Sequence, residues 1–310
     1  MSDQQPQTSS ESLAADGVIE SHLSVSNGEA SAVDLLASET GLSRSAIKQV
    51  MQSGAVWLTR GAHSRRLRRA KSKLQEGDEL HLYYNPELLN SEPPNAQLIA
   101  DEGDYSVWYK PAGMFTQGTK WGDSHSIVRW AEQHIKPERT AKLVHRLDRH
   151  TSGLILLAHS KKAAAALSGL FASRDIKKSY EALVVGEIGP VGWEQRVEEP
   201  VDEKPAASVV TVLANAHGCS HVGVAIETGR RHQIRCHLSG LGFAIVGDRL
   251  YGQDHPTGMH LAAVDLAFCC PLTQEPRHYS LEPALRPSFY AINEPFSQVI
   301  TKSGEEVGDL

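Results

Sequence analysis

Residues 145–158 constrain the fold more strongly than any other stretch of the chain. They read His-Arg-Leu-Asp-Arg-His-Thr-Ser-Gly-Leu-Ile-Leu-Leu-Ala, and the polar pair His159-Ser160 follows. An uninterrupted apolar run from Leu154 to Ala158, bounded by a glycine and by polar residues, predicts a buried strand. Asp148 precedes this strand and lies between two arginines. We therefore expect Asp148 on a loop at the edge of a rigid sheet, where catalytic groups are often found.

The same stretch resembles the motif around the catalytic aspartate of the RluA family of pseudouridine synthases. The family form is His-Arg-Leu-Asp, a variable pair that is often Lys-Asp, then Thr-Ser-Gly-Leu; here Arg149 and His150 stand at the variable pair. Five further segments resemble family motifs in the same order: Trp108–Met114, Lys178–Gly186, Gly229–Leu238 with Arg231 where Thr is usual, Val246–Asp248 with Tyr251-Gly252, and His260–Ala263. An aspartate between arginines is otherwise most often a surface ion pair. The ordered set of matches over the last two thirds of the chain favours the catalytic interpretation.

The resemblance implies an RNA pseudouridine synthase, an enzyme that breaks the bond from ribose to uracil nitrogen and rejoins the base through carbon 5. Such a reaction requires a nucleophile and proton transfer but no redox partner, so no cofactor is expected. Asp148 is the predicted catalytic carboxylate. Whether it attacks the uracil ring, attacks the sugar or only deprotonates the ribose stays open at this point. By resemblance, Arg235 holds the charge of Asp148, and Tyr180 stacks on the target base and relays a proton. The alternative for Tyr180 is a buried strand aromatic.

The target base must leave its stack before Asp148 can reach it. Arg146 matches the family position that fills the vacated stack or holds the flipped nucleotide, and a planar guanidinium can do both. His145, from the same motif, is grouped with the substrate-binding residues. The predicted phosphate contacts, each of which could equally be an ordinary surface charge, are Lys110, Arg149, Lys178 and Arg231.

Metal and dinucleotide sites are not expected. The histidines at 145, 150, 232 and 237 form no helical His-x-x-x-His or Cys-His pair with converging ligands. Cys219, Cys236, Cys269 and Cys270 also lack metal-ligand spacing, and adjacent Cys269-Cys270 are expected to be buried small hydrophobes. The glycines between 240 and 247 lack the third position of a dinucleotide fingerprint.

The amino-terminal part resembles a small S4-type RNA-binding domain. A helix is predicted from Ala32, and Ser43 is predicted to cap a second one. Strands are predicted after the glycines at 54 and 77. The chain is thus divided into a disordered tail (1–20), an S4-like α/β domain (21–84), a linker that contains Pro93-Pro94 (85–96), a catalytic domain (97–298) and a second tail (299–310).

Helices and strands of the catalytic domain are predicted in irregular order. The predicted helices are 160–171 and 231–241, and the predicted strands include 180–185, 209–213 and 222–227. This order favours an α+β fold, here the pseudouridine synthase fold, with a mixed and mainly antiparallel sheet.

A net charge of −6 argues against a protein that binds nucleic acid by bulk charge. A basic stripe from Arg65 to Lys73 could contact phosphates or could be a solvated loop. With no long apolar run and a polar amino terminus, we expect a soluble, cytoplasmic monomer without membrane contact. Structured RNA is the expected partner, with ribosomal RNA first and transfer RNA second. The alternatives are a noncatalytic RNA-binding ribosome-assembly protein and a small-molecule hydrolase; the joint presence of Asp148, Tyr180 and Arg235 favours the enzyme acting on RNA.

Overall fold

The computed structural model describes residues 17–292, so most of the two predicted tails lies outside the described residues. The chain divides into two compact units. One contains the residues up to Pro94 together with Phe115–Glu138, and the other contains Asn95–Met114 and the residues from Arg139 onward. The sequence predicts a single boundary near residue 97, whereas Phe115–Glu138 packs with the amino-terminal part.

The first unit is a four-stranded antiparallel sheet with two helices on one face. The strand order is β1-β4-β2-β3, and Leu58, Leu80 and Leu82 from the sheet share a core with Leu36 and Ile47 from the helices. Its elements are β1 (Ile19–Ser24), α1 (Ala32–Thr40), α2 (Arg44–Gln52), β2 (Val56–Arg60), β3 (His63–Arg66), β4 (Glu79–Tyr84), α3 (Pro86–Asn90) and α4 (Ile127–His134).

Two elements of this unit differ from the sequence prediction. Strand β1 begins at Ile19, inside the predicted tail, because its backbone pairs with β4 along its whole length. Helix α3 lies inside the predicted linker. The side chain of Asn85 accepts a hydrogen bond from the amide of Leu88, and Pro86 occupies the first helical turn, where its missing N–H costs nothing. The proline pair at 93 and 94 follows this short helix.

Part of the basic stripe serves the structure of this unit. The Arg66 guanidinium lies 4.4 Å from the centre of the Trp57 ring, donates to the carbonyl of Thr119 at 2.9 Å and pairs with Asp123 at 3.3 Å. Arg68 also donates to Asp123. These two arginines are therefore partly buried and committed to protein contacts, whereas the exposed members of the stripe are Arg65, Arg69, Lys71 and Lys73.

The second unit is built on a ten-stranded sheet. Its main path is β10-β11-β12-β9-β13-β8-β6-β5, with β14 paired to β13 and β7 paired to β8. Among the strand pairs within residues 17–292, only β8–β13 is parallel, which confirms the predicted mixed and mainly antiparallel sheet. The elements are β5 (Gln97–Asp101), β6 (Tyr105–Lys110), β7 (Lys142–Leu143), β8 (Ser152–Ala158), α5 (Lys161–Ser173), β9 (Ile176–Val185), β10 (Glu194–Val197), β11 (Ser208–Ala216), β12 (Cys219–Ile226), α6 (Gln233–Gly240), β13 (Leu261–Cys269) and β14 (Pro276–Ser280).

Strand β8 is the buried strand predicted from the apolar run, and its first residues fix the loop that carries Asp148. Gly153 has φ +113°, and a Cβ atom there would lie 2.2 Å from the carbonyl oxygen of Ala263. Only glycine permits this approach of β8 to β13. On the loop itself, Leu147 is buried and the amide of Thr151 donates to the carbonyl of Asp148 at 3.2 Å.

The cysteines within residues 17–292 are all free thiols. Cys270 is buried in the core formed around β8 and β13, as predicted, but Cys269 is exposed. Successive side chains of a strand point to opposite faces, so two adjacent cysteines at the end of β13 cannot both enter the core. None of the helices in the described part of the chain has the length and apolar composition needed to cross a membrane.

Candidate active site

A cavity of about 450 Å³ opens in the second unit and is lined by residues from separate parts of the chain. The loop before β8 contributes Asp148, strand β9 contributes Tyr180, and helix α6 contributes Arg235. A pocket of this size with a few converging polar groups is the usual form of a small-molecule or nucleotide site.

The Asp148 carboxylate is partly buried, with 22% of its side chain exposed. Its Oδ2 atom lies 3.9 Å from Nη1 of Arg235 and 3.7 Å from Nε2 of His232. Because Leu147 is anchored in the protein interior, its neighbours Arg146 and Asp148 are held in the pocket wall. Asp148 therefore faces two nitrogen-bearing side chains at one end of the cavity.

Arg235 is oriented by a second carboxylate. Its Nε and Nη2 atoms donate to Asp248 at 2.7 and 2.6 Å, and its guanidinium lies 4.9 Å from the centre of the Tyr251 ring. Burial alone would lower the pKa of Arg235, but hydrogen bonds to Asp248 and the charges of both aspartates outweigh burial and raise it. The remaining Nη1 atom is the one that reaches Asp148. A planar guanidinium bound through one edge is thereby fixed in the orientation that serves the other edge.

Asp248 is fully buried and accepts four hydrogen bonds. Besides the two from Arg235, its Oδ1 atom accepts from the backbone amides of Leu250 and Tyr251 at 3.0 and 3.2 Å. Burial would raise the pKa of Asp248, but the hydrogen bonds from Arg235 and the two amides lower it below its ordinary value. Asp248 therefore stays ionised beside Arg235.

Tyr180 lies in the middle of the sheet, with Val224 of β12 and Ala263 of β13 as its pairing partners. Burial strongly raises the pKa of its hydroxyl, and the charge of Asp148 raises it further. The side chain is thus a neutral phenol at physiological pH, suited to stacking and to hydrogen bonding.

The segment before α6 is held by Gln233, a buried side chain. Its Oε1 atom accepts from the Thr228 hydroxyl at 2.6 Å and from the Arg230 amide at 3.1 Å, and its Nε2 atom donates to Ala207 and Ser208. These bonds fix the start of α6 and so the position of Arg235 two residues later. Among residues 17–292, no group of three or more His, Cys, Asp or Glu side chains could hold a metal ion.

The part of the chain that carries Asp148, Tyr180 and Arg235 matches a known family in sequence. Residues 104–240 match the family model for RNA pseudouridylate synthase. The dual-specificity RNA pseudouridine synthase RluA of Pasteurella multocida is 39% identical over 62% of this chain and 94% of that protein. The chain belongs to the RNA pseudouridine synthase family.

Two further comparisons agree with this membership. The ribosomal large subunit pseudouridine synthase D of Yersinia pestis is 31% identical over 50% of this chain and 52% of that protein. The solved structure of human RNA pseudouridylate synthase domain containing 1 has a TM-score of 0.53 and 24% identity, and covers 64% of this chain and 88% of that one. The second comparison shows the shared fold. The family match and the relatives named RluA and pseudouridine synthase D confirm the predicted resemblance to RluA-type enzymes.

The synthase brings most of the predicted site residues into one cavity. Asp148, Tyr180 and Arg235 line it together, as do the predicted substrate-binding residues His145, Arg146, Lys178 and Arg231. Arg149 is exposed, and its Nε atom donates to the carbonyl of Gly113 at 3.1 Å.

Lys110 does not occupy the position expected of a phosphate contact. Its side chain is fully buried, and its ammonium donates to the carbonyl oxygens of Pro111, Met114 and Arg149 at 3.1, 2.9 and 3.2 Å. Burial lowers the pKa of Lys110 to about 7. The prediction of a phosphate contact is therefore wrong, because this lysine ties the turn after β6 to the Asp148 loop from inside the protein.

His145, which was predicted to bind substrate, makes contacts that stabilise the protein itself. Its Nε2 atom accepts from the amide of Leu156 at 2.9 Å, and its ring stacks on Phe171 with a 4.3 Å centroid distance. Burial lowers the pKa of His145 to about 3, so the ring is neutral and presents no charge to RNA. It lines the cavity through its ring.

Sequence reasoning assigns no roles to Asp248, His232 and Tyr251. All three lie within segments that resemble family motifs, and His232 is also one of the histidines rejected as metal ligands. Their common signal is their position in the sequence. His232 lies in the motif that contains Arg235, and Asp248 and Tyr251 lie in the next motif. No local pattern indicates that they meet Asp148 and Arg235.

Proposed function

We propose that this synthase isomerises uridine in ribosomal RNA and that Asp148 starts the reaction. The observation that carries the proposal is the cavity in which the Asp148 carboxylate lies 3.9 Å from the Arg235 guanidinium, with Tyr180 in the same wall. A carboxylate close to an arginine is the group that the reaction needs, since uridine isomerisation begins with attack or deprotonation by a base.

The reaction conserves all atoms. The bond from ribose C1′ to uracil N1 breaks, a bond from C1′ to C5 forms, the proton on C5 leaves, and N1 gains a proton. In the proposal Asp148 initiates the bond exchange, and Arg235 stabilises the carboxylate when it is ionised. Tyr180 packs against the base, and its hydroxyl stays protonated because its pKa is raised, so it can donate to the base or pass on the C5 proton.

Cations around the cavity provide the proposed grip on the RNA backbone. Arg146 is exposed in the cavity wall and is proposed to hold the flipped nucleotide. Phosphate oxygens attract arginine and lysine strongly and fix the position of the nucleic acid without reading its sequence. The other cations that line the cavity are Arg174, Lys178, Arg230 and Arg231.

A ribosomal RNA target is supported by relatives named for the large ribosomal subunit, such as the Yersinia pestis enzyme. The S4-like character of the first unit, with its two capped helices on a small sheet, supports a structured RNA over a free nucleoside. The described residues of a single chain line this cavity, and we propose a monomer that acts where ribosomes are assembled, in the cytoplasm.

The proposal is tested with Asp148→Asn, an isosteric change that removes the carboxylate. RNA labelled with tritium at uridine C5 releases the label as C5 joins the sugar, so tritium release measures the reaction directly. We expect no release by the variant and an RNA affinity within about three-fold of wild type, because phosphate contacts dominate binding. Normal turnover by Asp148→Asn would refute the assignment.

The target is tested by mapping pseudouridine in cells with and without the protein. Loss of a pseudouridine from ribosomal RNA supports the proposal, and loss only from transfer RNA replaces it with the second candidate. Sedimentation of the purified chain tests the monomer.

A further inference from the structure

Asp148 has a second contact besides Arg235, made by His232, which in turn contacts Tyr251. His232 places Nε2 at 3.7 Å from Oδ2 of Asp148, and its Nδ1 atom lies 3.1 Å from the hydroxyl oxygen of Tyr251. The same Tyr251 lies under the guanidinium of Arg235. Two series of contacts therefore lead to Asp148. One runs from Asp248 through Arg235, and the other runs from Tyr251 through His232.

The backbone at His232 shows that this placement is specific. His232 is the N-cap residue of α6 and has φ +55°, a left-handed conformation that non-glycine residues adopt rarely. Its side chain makes no capping hydrogen bond to the helix. The left-handed backbone instead directs the ring into the cavity, and strain of this kind is typical of functional positions.

The hydrogen-bond partners of the ring select one tautomer. Burial lowers the pKa of His232, which keeps the ring neutral with a single N–H. A lone pair on Nε2 would face the Asp148 carboxylate and be repelled, so the proton belongs on Nε2. Nδ1 must then accept, and the Tyr251 hydroxyl is the donor within reach. A hydrogen bond with Cys236 raises the pKa of Tyr251 to about 12, so the hydroxyl is protonated at neutral pH.

We propose that His232 and Tyr251 are a positioning pair for Asp148, in which Tyr251 fixes the tautomer and His232 directs an N–H at the carboxylate. This inference rests on the proposed role of Asp148. At 3.7 Å the contact is electrostatic, and such contacts often tighten when substrate enters. His232 and Arg235 both contact Oδ2 of Asp148, and two contacts from different residues limit rotation of the reactive group. No proton moves through His232 in this scheme.

The test compares His232→Ala with His232→Gln. The amide nitrogen of glutamine reaches roughly the position of Nε2 and donates a hydrogen bond, but an amide cannot take up a proton at neutral pH. Alanine and glutamine suit a left-handed backbone equally poorly, so the difference between the variants reports the N–H and not the fold. In single-turnover tritium release we expect His232→Ala to slow about 10- to 100-fold and His232→Gln to stay within about three-fold, with unchanged RNA affinity.

Tyr251→Phe tests the second member. It keeps the ring beneath Arg235 and removes the hydroxyl, and we expect the rate to fall about 3- to 10-fold in the wild-type background. In the His232→Ala background it should have no effect, because the hydroxyl acts only through His232. Additive losses in the double variant would overturn the role of Tyr251.

The remaining outcomes are distinguishable. If His232→Gln is as slow as His232→Ala, the ring transfers protons and the positioning role is wrong. If His232→Ala reacts at the wild-type rate while Asp148→Asn is inactive, the pair has no role and the proposed function stands. Activity of Asp148→Asn would instead remove the proposed role of Asp148, whatever the His232 variants do.

Discussion

Asp248→Asn is the most informative single perturbation of the synthase, because it changes the residue that orients Arg235 without changing its size. In the wild type, Oδ1 accepts from Nη2 of Arg235 and from two backbone amides, while Oδ2 accepts from Nε of Arg235. An asparagine oxygen can replace Oδ1 and keep three of these bonds. Its NH₂ group then takes the place of Oδ2 and faces the N–H of Arg235, donor against donor.

The expected decrease in stability follows from these hydrogen bonds. One charge-assisted hydrogen bond is worth about 1.5–3 kcal/mol, and removing one partner of a buried ion pair costs about 3–5 kcal/mol. Asp148, 3.9 Å from Nη1, retains part of the charge compensation. We therefore expect the free energy of unfolding to fall by about 2–4 kcal/mol at neutral pH. The guanidinium is also expected to shift toward Asp148, and a displacement of about 1 Å typically slows chemistry about 100-fold.

The contribution of Asp248 to the free energy of unfolding should depend on pH in one direction. The pKa of Asp248 is lowered in the folded state, so its contribution is present above the ordinary carboxyl value of 3.8 and is lost as pH falls through the lower folded value. The stability difference between wild type and Asp248→Asn should accordingly be constant from about pH 5 upward, within the precision of urea titration, and should shrink in more acidic solution.

Urea unfolding and single-turnover tritium release measure the two effects. Asp254→Asn is the matched control, since Asp254 forms an ion pair with Arg249 that is largely exposed and lies close in sequence. That variant should match wild type in both assays. The orienting role of Asp248 is refuted if Asp248→Asn unfolds and reacts like Asp254→Asn.

Further substitutions test individual features of the two units. Tyr180→Phe keeps the ring and removes the hydroxyl, so a single-turnover rate equal to wild type would show that stacking is its whole contribution. Arg66→Ala should destabilise the first unit in urea unfolding, whereas the exposed pair Arg65→Ala/Arg69→Ala should leave its stability unchanged. If the exposed arginines bind phosphates, the slope of log affinity against log salt should flatten by about 0.7–0.9 for each phosphate interaction removed, and an unchanged slope would show that they do not. Gly153→Ala should disrupt the β8–β13 pairing, because its Cβ would lie 2.2 Å from a carbonyl oxygen. Gly169→Ala in α5, with open space around it, should instead stabilise by about 0.5–1 kcal/mol, and equal effects of the two changes would contradict the steric argument.

Local features of the fold could be predicted from sequence because their causes lie within a few residues. Ser43 caps α2 by accepting from the amide of Ala46, and the apolar run after Gly153 forms β8. The mixed sheet was also predictable, since an irregular order of helices and strands excludes a regular parallel arrangement. Strand β1 and helix α3 were missed, because pairing with a distant strand and a single asparagine cap leave weak signals.

The candidate site likewise has features that the sequence predicts and features that depend on the tertiary structure. The sequence by itself determined which residue types are available near Asp148, because the motifs that contain Tyr180 and Arg235 are recognisable one at a time. Only the tertiary structure decided which charges face RNA and which serve the protein. Lys110 and Arg66 look like surface cations in the sequence, yet partners distant in the chain bury the first and engage the second. The contacts that Asp248, His232 and Tyr251 make around Arg235 and Asp148 likewise could not be predicted from the sequence, since hydrogen bonding and burial depend on distances that only the folded chain sets.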